Sequence, residues 1–138
     1  MNEHQPFEEI KQVDKNGAEF WSARALSKLL DYSEYRHFTP VLTRAKEACK
    51  QSGHAILDHF EDVLEMVQIG SGAQREIKDI ILSRYACYLV VQNGDPTKPV
   101  IAAGQTYFAI QTRRQELADD EAFNNFVKTK SVFFYATN

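Results

Sequence analysis

Cysteine is scarce in this chain. There are two, Cys49 and Cys87, with no CxxC pair, and none of His4, His37, His54 and His59 has a partner at zinc-site spacing. A disulfide framework and a thiolate metal centre both need more than this. Each cysteine falls inside an apolar helical pattern, which suits a free buried thiol in a reducing compartment. Long hydrophobic runs are missing too: Ile80-Ile81-Leu82 and Val100-Ile101-Ala102-Ala103 fall far short of the roughly 20 residues that cross a bilayer. The opening MNEHQPFEEI lacks the basic and apolar regions of a signal peptide, so the expected location is the cytoplasm, with no membrane contact. Strong net charge of either sign is also absent, the balance being -3. A typical DNA-binding module is more basic than that. There is no repeat and no low-complexity linker.

Apolar residues, by contrast, are plentiful: 43% of the 138 residues are hydrophobic and 12% aromatic. A compact domain of this mass keeps about 7,000 Å² of the roughly 23,000 Å² that an extended chain exposes, which is enough burial for one core without crosslinks. Basic side chains gather in residues 22–50 and 75–114, whereas the charges of 51–74 are all acidic.

Residues 7–13 and 18–21 read as two short strands around Asp14-Lys15-Asn16-Gly17, whose Asn-Gly favours a tight turn. Ser22 is a good N-cap for a first helix over 22–30, with Trp21 and Leu26 at the spacing of a hydrophobic staple. Tyr35, Phe38, Leu42, Ala45 and Cys49 form an apolar stripe. With Thr39 as cap and Pro40 in the first turn, the second helix is expected over 40–50. Residues 54–82 fit either a helix or a hairpin turning at Gly70-Ser71-Gly72. Ser83 caps a nearly all-apolar helix over 83–93, closed by Asn93-Gly94. Residues 97–117 read as the longest helix, with Gly104 placed for close packing rather than as a hinge. An acidic segment follows, and the run Val132-Phe133-Phe134-Tyr135 must pack, pair as an edge strand or aggregate.

No catalytic constellation emerges from these residues. Cys87 lies in the most apolar helix, where a thiol's pKa rises and its reactivity falls. Gly70-Ser71-Gly72 lacks the context of a phosphate loop. The chain therefore reads as a binding module and not an enzyme, with no metal and no cofactor. Two successive helices and a hairpin fit a winged helix-turn-helix. Tyr35, Arg36, His37 and Thr39 would then read bases, while Arg44, Lys46, Arg75 and Lys78 would supply phosphate contacts. An α+β protein-interaction domain fits the same pattern.

Several blocks carry a family resemblance over residues 7–118. They are Phe20-Trp21-Ser22-Ala23-Arg24, Ala45-Lys46-Glu47-Ala48-Cys49, Gly70-Ser71-Gly72-Ala73, Leu82-Ser83-Arg84-Tyr85-Ala86-Cys87-Tyr88-Leu89, Gln92-Asn93-Gly94-Asp95-Pro96, and Gln105-Thr106-Tyr107-Phe108-Ala109 with Gln111-Thr112-Arg113-Arg114-Gln115. The chain resembles the N-terminal region of the bacterial DNA-damage-inducible protein D family. That region is similar in turn to the N-terminal domain of BRO and phage antirepressor proteins. The resemblance implies an α+β domain over 1–118, with a mainly helical core, a short N-terminal hairpin and a second hairpin near 62–82. Residues 119–138 would be an acidic, then aromatic, tail: a truncated continuation of a longer protein. It further implies a regulatory domain of the SOS response that associates with DNA. The alternative is a module binding another damage-response protein or a repressor, as a monomer or a homodimer. Family members often carry Gly where this chain has Asp31. The family assigns no catalytic residue. Arg84 is read either as an ion pair with Asp79 or Asp95 or as a partner-binding group beside Arg113 and Arg114. Those two are read either as a solvated helix end or as an anion contact.

Overall fold

A computed structural model describes the backbone of residues 5–136 and the side chains of residues 6–128. It has an α+β architecture: five helices and one antiparallel sheet of strand order β1-β2-β4-β3. The first expectation to be corrected concerns residues 7–13. They form the helix α1 (Gln5–Ile10), and only β1 (Gln12–Val13) is extended. Phe7 and Ile10, three apart, thereby turn to the same side of α1 and reach the core, which a strand at that spacing does not allow. The N-terminal hairpin itself is present. β1 pairs with β2 (Glu19–Ser22), and the Asp14 carboxylate accepts the amides of Asn16 and Ala18 inside the turn.

Ser22 ends β2 and caps α2 (Ala23–Leu29), its hydroxyl accepting the amide of Ala25. α2 stops in a Schellman motif: the amide of Tyr32 bonds to Ser27 O and that of Asp31 to Lys28 O. Asp31 sits at φ 64°, in the left-handed region that favours glycine. α3 (Tyr35–Gln51) begins before the expected start at Pro40, which lies inside the helix. Proline brings no amide to the carbonyl of Arg36, and the Thr39 hydroxyl donates to that oxygen instead, at 2.9 Å. Thr39 therefore repairs the helix rather than capping it. A 3-10 turn, Ile56–Asp58, leads into β3 (Phe60–Gln68), which pairs along its whole length with β4 (Gln74–Leu82). This settles residues 62–82 as a hairpin. β2 reaches β4 only at its base, through Trp21↔Leu82 and Ser22↔Ile81, so the outer part of the hairpin projects as a two-stranded ribbon.

α4 (Arg84–Gln92) is capped by the Ser83 hydroxyl on the amide of Ala86 and packs centrally through Ala86, Cys87, Val90 and Val91. Both cysteines are free and buried, and burial pushes both thiols up from their ordinary pKa. α5 (Pro99–Ala136) does not end at 117, because residues 117–136 contain no Gly or Pro to stop it. The backbone of 132–135 continues this helix, and the side chains of Val132, Phe133, Phe134 and Tyr135 lie outside the described residues. Gly104 is a close-packing site: a Cβ there would meet Phe7 Cζ at 3.0 Å and Val91 Cγ1 at 3.1 Å.

These elements close around an aromatic centre. The Trp21 indole donates to Phe7 O at 3.0 Å, and its ring meets Phe108 edge-on at 5.2 Å. Phe7 stacks on Tyr107 at 5.3 Å. Trp21→Ala removes a fully buried ring and orphans the Phe7 carbonyl, so it is expected to cost about 3–5 kcal/mol. Urea unfolding measures this; an unmoved midpoint at unchanged slope would contradict the packing described.

Candidate interaction groove

One buried carboxylate organises the surface where α2, α3 and the hairpin meet. Asp79 immediately precedes the apolar run Ile80–Leu82 of β4 and is only 3% exposed. It accepts from the Ser22 hydroxyl, from the Arg24 amide at 3.1 Å and from the Ile80 amide at 2.8 Å. Two of these donors belong to the start of α2, whose first amides have no partner within the helix and favour negative charge. Arg24 then turns across the sheet. Its Nε donates to Lys78 O at 2.6 Å, covering the edge of β4 that β2 leaves unpaired. The guanidinium also lies over the Tyr35 ring, 4.2 Å from its centre. Burial and then the Asp79 charge hold the Tyr35 phenol above its ordinary pKa, so it stays protonated and neutral near pH 7.

Beside this cluster lies an open groove of about 740 Å³, walled by the first turn of α3 and the base of the ribbon. Tyr35, Thr39 and Lys78, named as contact residues from sequence, line it together with Asp62, Val63, Leu64 and Ile80. Arg36 and His37 are exposed on the same turn of α3, both leaning on Glu34, with His37 Nε2 at 3.6 Å. Arg75 is exposed further out on the ribbon, opposite Val67. The remaining candidates lie elsewhere. Arg44 reaches toward Asn93 O at 3.5 Å, and Lys46 is half-buried on the far part of α3. Arg84 pairs with Glu19 and Gln115 instead of the Asp79 or Asp95 considered from sequence. Arg113 pairs with Glu116 at 3.2 Å, and Arg114 is exposed on α5. Arg24 and Asp79 are the residues that the sequence reading left off its list of contacts. An acid directly before the apolar run Ile80–Leu82, with a serine cap available elsewhere, was the available signal.

A second surface surrounds Ser83. His59 Nδ1 lies 2.7 Å from its Oγ, and the rings of His54 and Tyr85 pack against His59. Burial and then the His54 charge lower the His59 pKa, with Asp58 opposing, so this imidazole is neutral near pH 7. Ser83 Oγ already serves as the cap of α4. Among the described residues no group of three or more His, Cys, Asp or Glu side chains is placed to hold a metal ion. No helix among them is long and apolar enough to cross a membrane.

Residues 9–109 match the model of the BRO family, N-terminal domain. The chain belongs to this family. It is also 75% identical over 135 residues to DNA damage-inducible protein D of Escherichia coli (strain K12), an alignment covering 97% of this chain and 49% of that protein. The chain thus spans about half the length of this curated relative. No solved structure matches it.

The Arg84–Glu19 pair gives this BRO domain a pH signature. Burial alone raises the Glu19 carboxyl pKa, but Arg84 and then Lys11 more than offset that and hold it below its ordinary value. A depressed acid stabilises the fold fully above the ordinary carboxylate range, and the contribution is lost as pH falls through the lower folded value. Glu19→Gln is therefore expected to be less stable than wild type at neutral pH and to show a shallower acid limb. The two stability curves should converge on acidification; parallel curves would contradict the assignment.

Proposed function

We propose that this BRO domain is a non-enzymatic regulatory module of the bacterial DNA-damage response, located in the cytoplasm and associated with DNA through the groove between α3 and the ribbon. The observation that carries the reading is the convergence at one groove of Tyr35 and Thr39 from a second helix and Lys78 from a hairpin. Arg36 and His37 are exposed on the adjoining turn and Arg75 on the outer ribbon. A helix of this kind inserts its first turns against base edges while a wing holds phosphate. The name of the Escherichia coli relative supports the damage-response context.

Electrostatics set the strength of such binding. Asp62 shares the groove and Glu34 holds Arg36, so little positive charge is left unopposed. The expected behaviour is weak binding that falls steeply with salt. A second reading, capture of a damage-response protein or a repressor by the same region, is favoured by the exposed Leu64, Met66 and Ile69 of the ribbon.

Titration of duplex and single-stranded DNA at two salt concentrations separates the two. Wild type should bind at low salt, and Arg36→Ala/Lys78→Ala should bind more weakly, with a salt slope smaller by about one unit per lost phosphate contact. Arg113→Ala, outside the groove, should match wild type. Absence of binding at low salt, or identical behaviour of the groove variant, would overturn the DNA role and leave the protein-capture reading.

A further inference from the structure

The two outer edges of the ribbon differ in what covers them. In an antiparallel pair, residues that exchange backbone hydrogen bonds alternate with residues whose amides and carbonyls point away. At the two ends of the β3–β4 ladder the Ser83 amide donates to His59 O and the Ile69 amide to Ala73 O, each at 3.0 Å. The register runs unbroken between them, so Glu61, Val63, Glu65 and Val67 bond to β4. Asp62, Leu64 and Met66 accordingly turn their amides and carbonyls to the outer edge of β3, as Lys78 and Ile80 turn theirs to the outer edge of β4. Side chains close on the β4 edge: Arg24 donates to Lys78 O, and the Asp79 carboxylate accepts the Ile80 amide. Among the described residues no hydrogen bond covers the outer edge of β3. Leu64 and Met66, on that edge, are 63% and 57% exposed. An open edge of this kind is a template for one more strand.

Charge identifies the strand that fits. β3 carries Glu61, Asp62 and Glu65 and no base. Each acid stands directly across from an isoleucine of β4: Ile81, Ile80 and Ile77 in turn. Lys78 and Arg75 stand only diagonally from Asp62 and Glu65, and among the described residues none of the three acids closes an ion pair. A second copy of β3 would add three more carboxylates and no cation to the seam in any register, and like charges on neighbouring strands repel. We infer that the outer edge of β3 takes up an extended, basic segment of a partner protein as a further antiparallel strand. Opposite Met66 back to Glu61, such a segment presents apolar, basic, apolar, apolar, basic and basic residues in that order. Main-chain bonds to Asp62, Leu64 and Met66 hold the added strand, and the side-chain pairs select it. This inference rests on the protein-capture reading above and places it on β3, whereas DNA binding through Arg36 and Lys78 stands or falls separately.

The probe is the synthetic peptide Val-Lys-Val-Val-Lys-Lys with blocked ends, titrated to about 1 mM against the 138-residue chain. Val-Glu-Val-Val-Glu-Glu is the control, and amide hydrogen exchange followed by NMR locates the site. The basic peptide should bind and slow exchange at the amides of Asp62, Leu64 and Met66, and the acidic one should do neither. Leu64→Pro removes one outward amide without touching the bonds to β4. It should weaken binding about tenfold at an unchanged urea midpoint. Glu61→Lys/Glu65→Lys should reverse the preference, taking the acidic peptide over the basic one, and keeps the test decisive even if Leu64→Pro lowers stability. Equal binding of the two peptides, or a charge-reversed variant with unchanged preference, would overturn the inference. Protection on the groove instead of β3 would overturn strand addition while leaving protein capture; no binding of either peptide would overturn both.

Discussion

The carboxylate of Asp79 is the contact on which the arrangement of this domain turns. A charge this deep in a protein is costly unless its lone pairs are met, and Asp79 meets donors from its own strand, from Ser22 and from the first turn of α2. The sheet by itself places the ribbon only loosely, because β2 pairs with β4 at two positions at its base. Asp79 adds a charged tie between that strand and the helix leading into α3. Arg24 extends the tie outward, sealing the open edge of β4 and supporting Tyr35. The groove between α3 and the ribbon is the consequence. Its shape follows from a buried polar cluster rather than from apolar packing, and such clusters specify one geometry because each donor has one place to go.

Much of this was legible in the residues themselves. Ser22 and Ser83 act as caps, the Trp21–Leu26 pair is buried, Gly104 is a contact point and Asp31 stands where glycine would be easier. Each is a local rule with a local cause. The misreadings came where a distant or unsuspected partner decided the outcome. Phe7 and Ile10 are too sparse to distinguish strand from helix until Trp21 and Tyr107 supply the surface that Phe7 packs on. Pro40 stops a helix unless something else serves the carbonyl it deserts, and Thr39 does. Residues 54–82 carried two periodicities at once, and only the pairing of β3 with β4 decided between them. Of the residues singled out from sequence, Tyr35, Thr39 and Lys78 line one groove, while Arg44 and Arg84 have neighbours elsewhere.

A BRO domain built this way separates its tasks in space. The aromatic centre around Trp21, Phe7 and Phe108 carries stability. The groove presents side chains of both charges on a frame fixed by Asp79. The exposed half of α5, Arg113 to Lys128, is a third region with its own charge pattern. The chain spans about half the length of its Escherichia coli relative.

The dependence of the fold on the Asp79 tie is measured most directly by a double-mutant cycle. Ser22→Ala, Asp79→Asn and the double variant are compared with wild type by urea unfolding at neutral pH. If the buried contact holds β4 to α2 as described, the two substitutions are strongly non-additive, with a coupling of about 1–3 kcal/mol. Additivity to within about 0.5 kcal/mol would show that Ser22 and Asp79 act independently and would contradict the account.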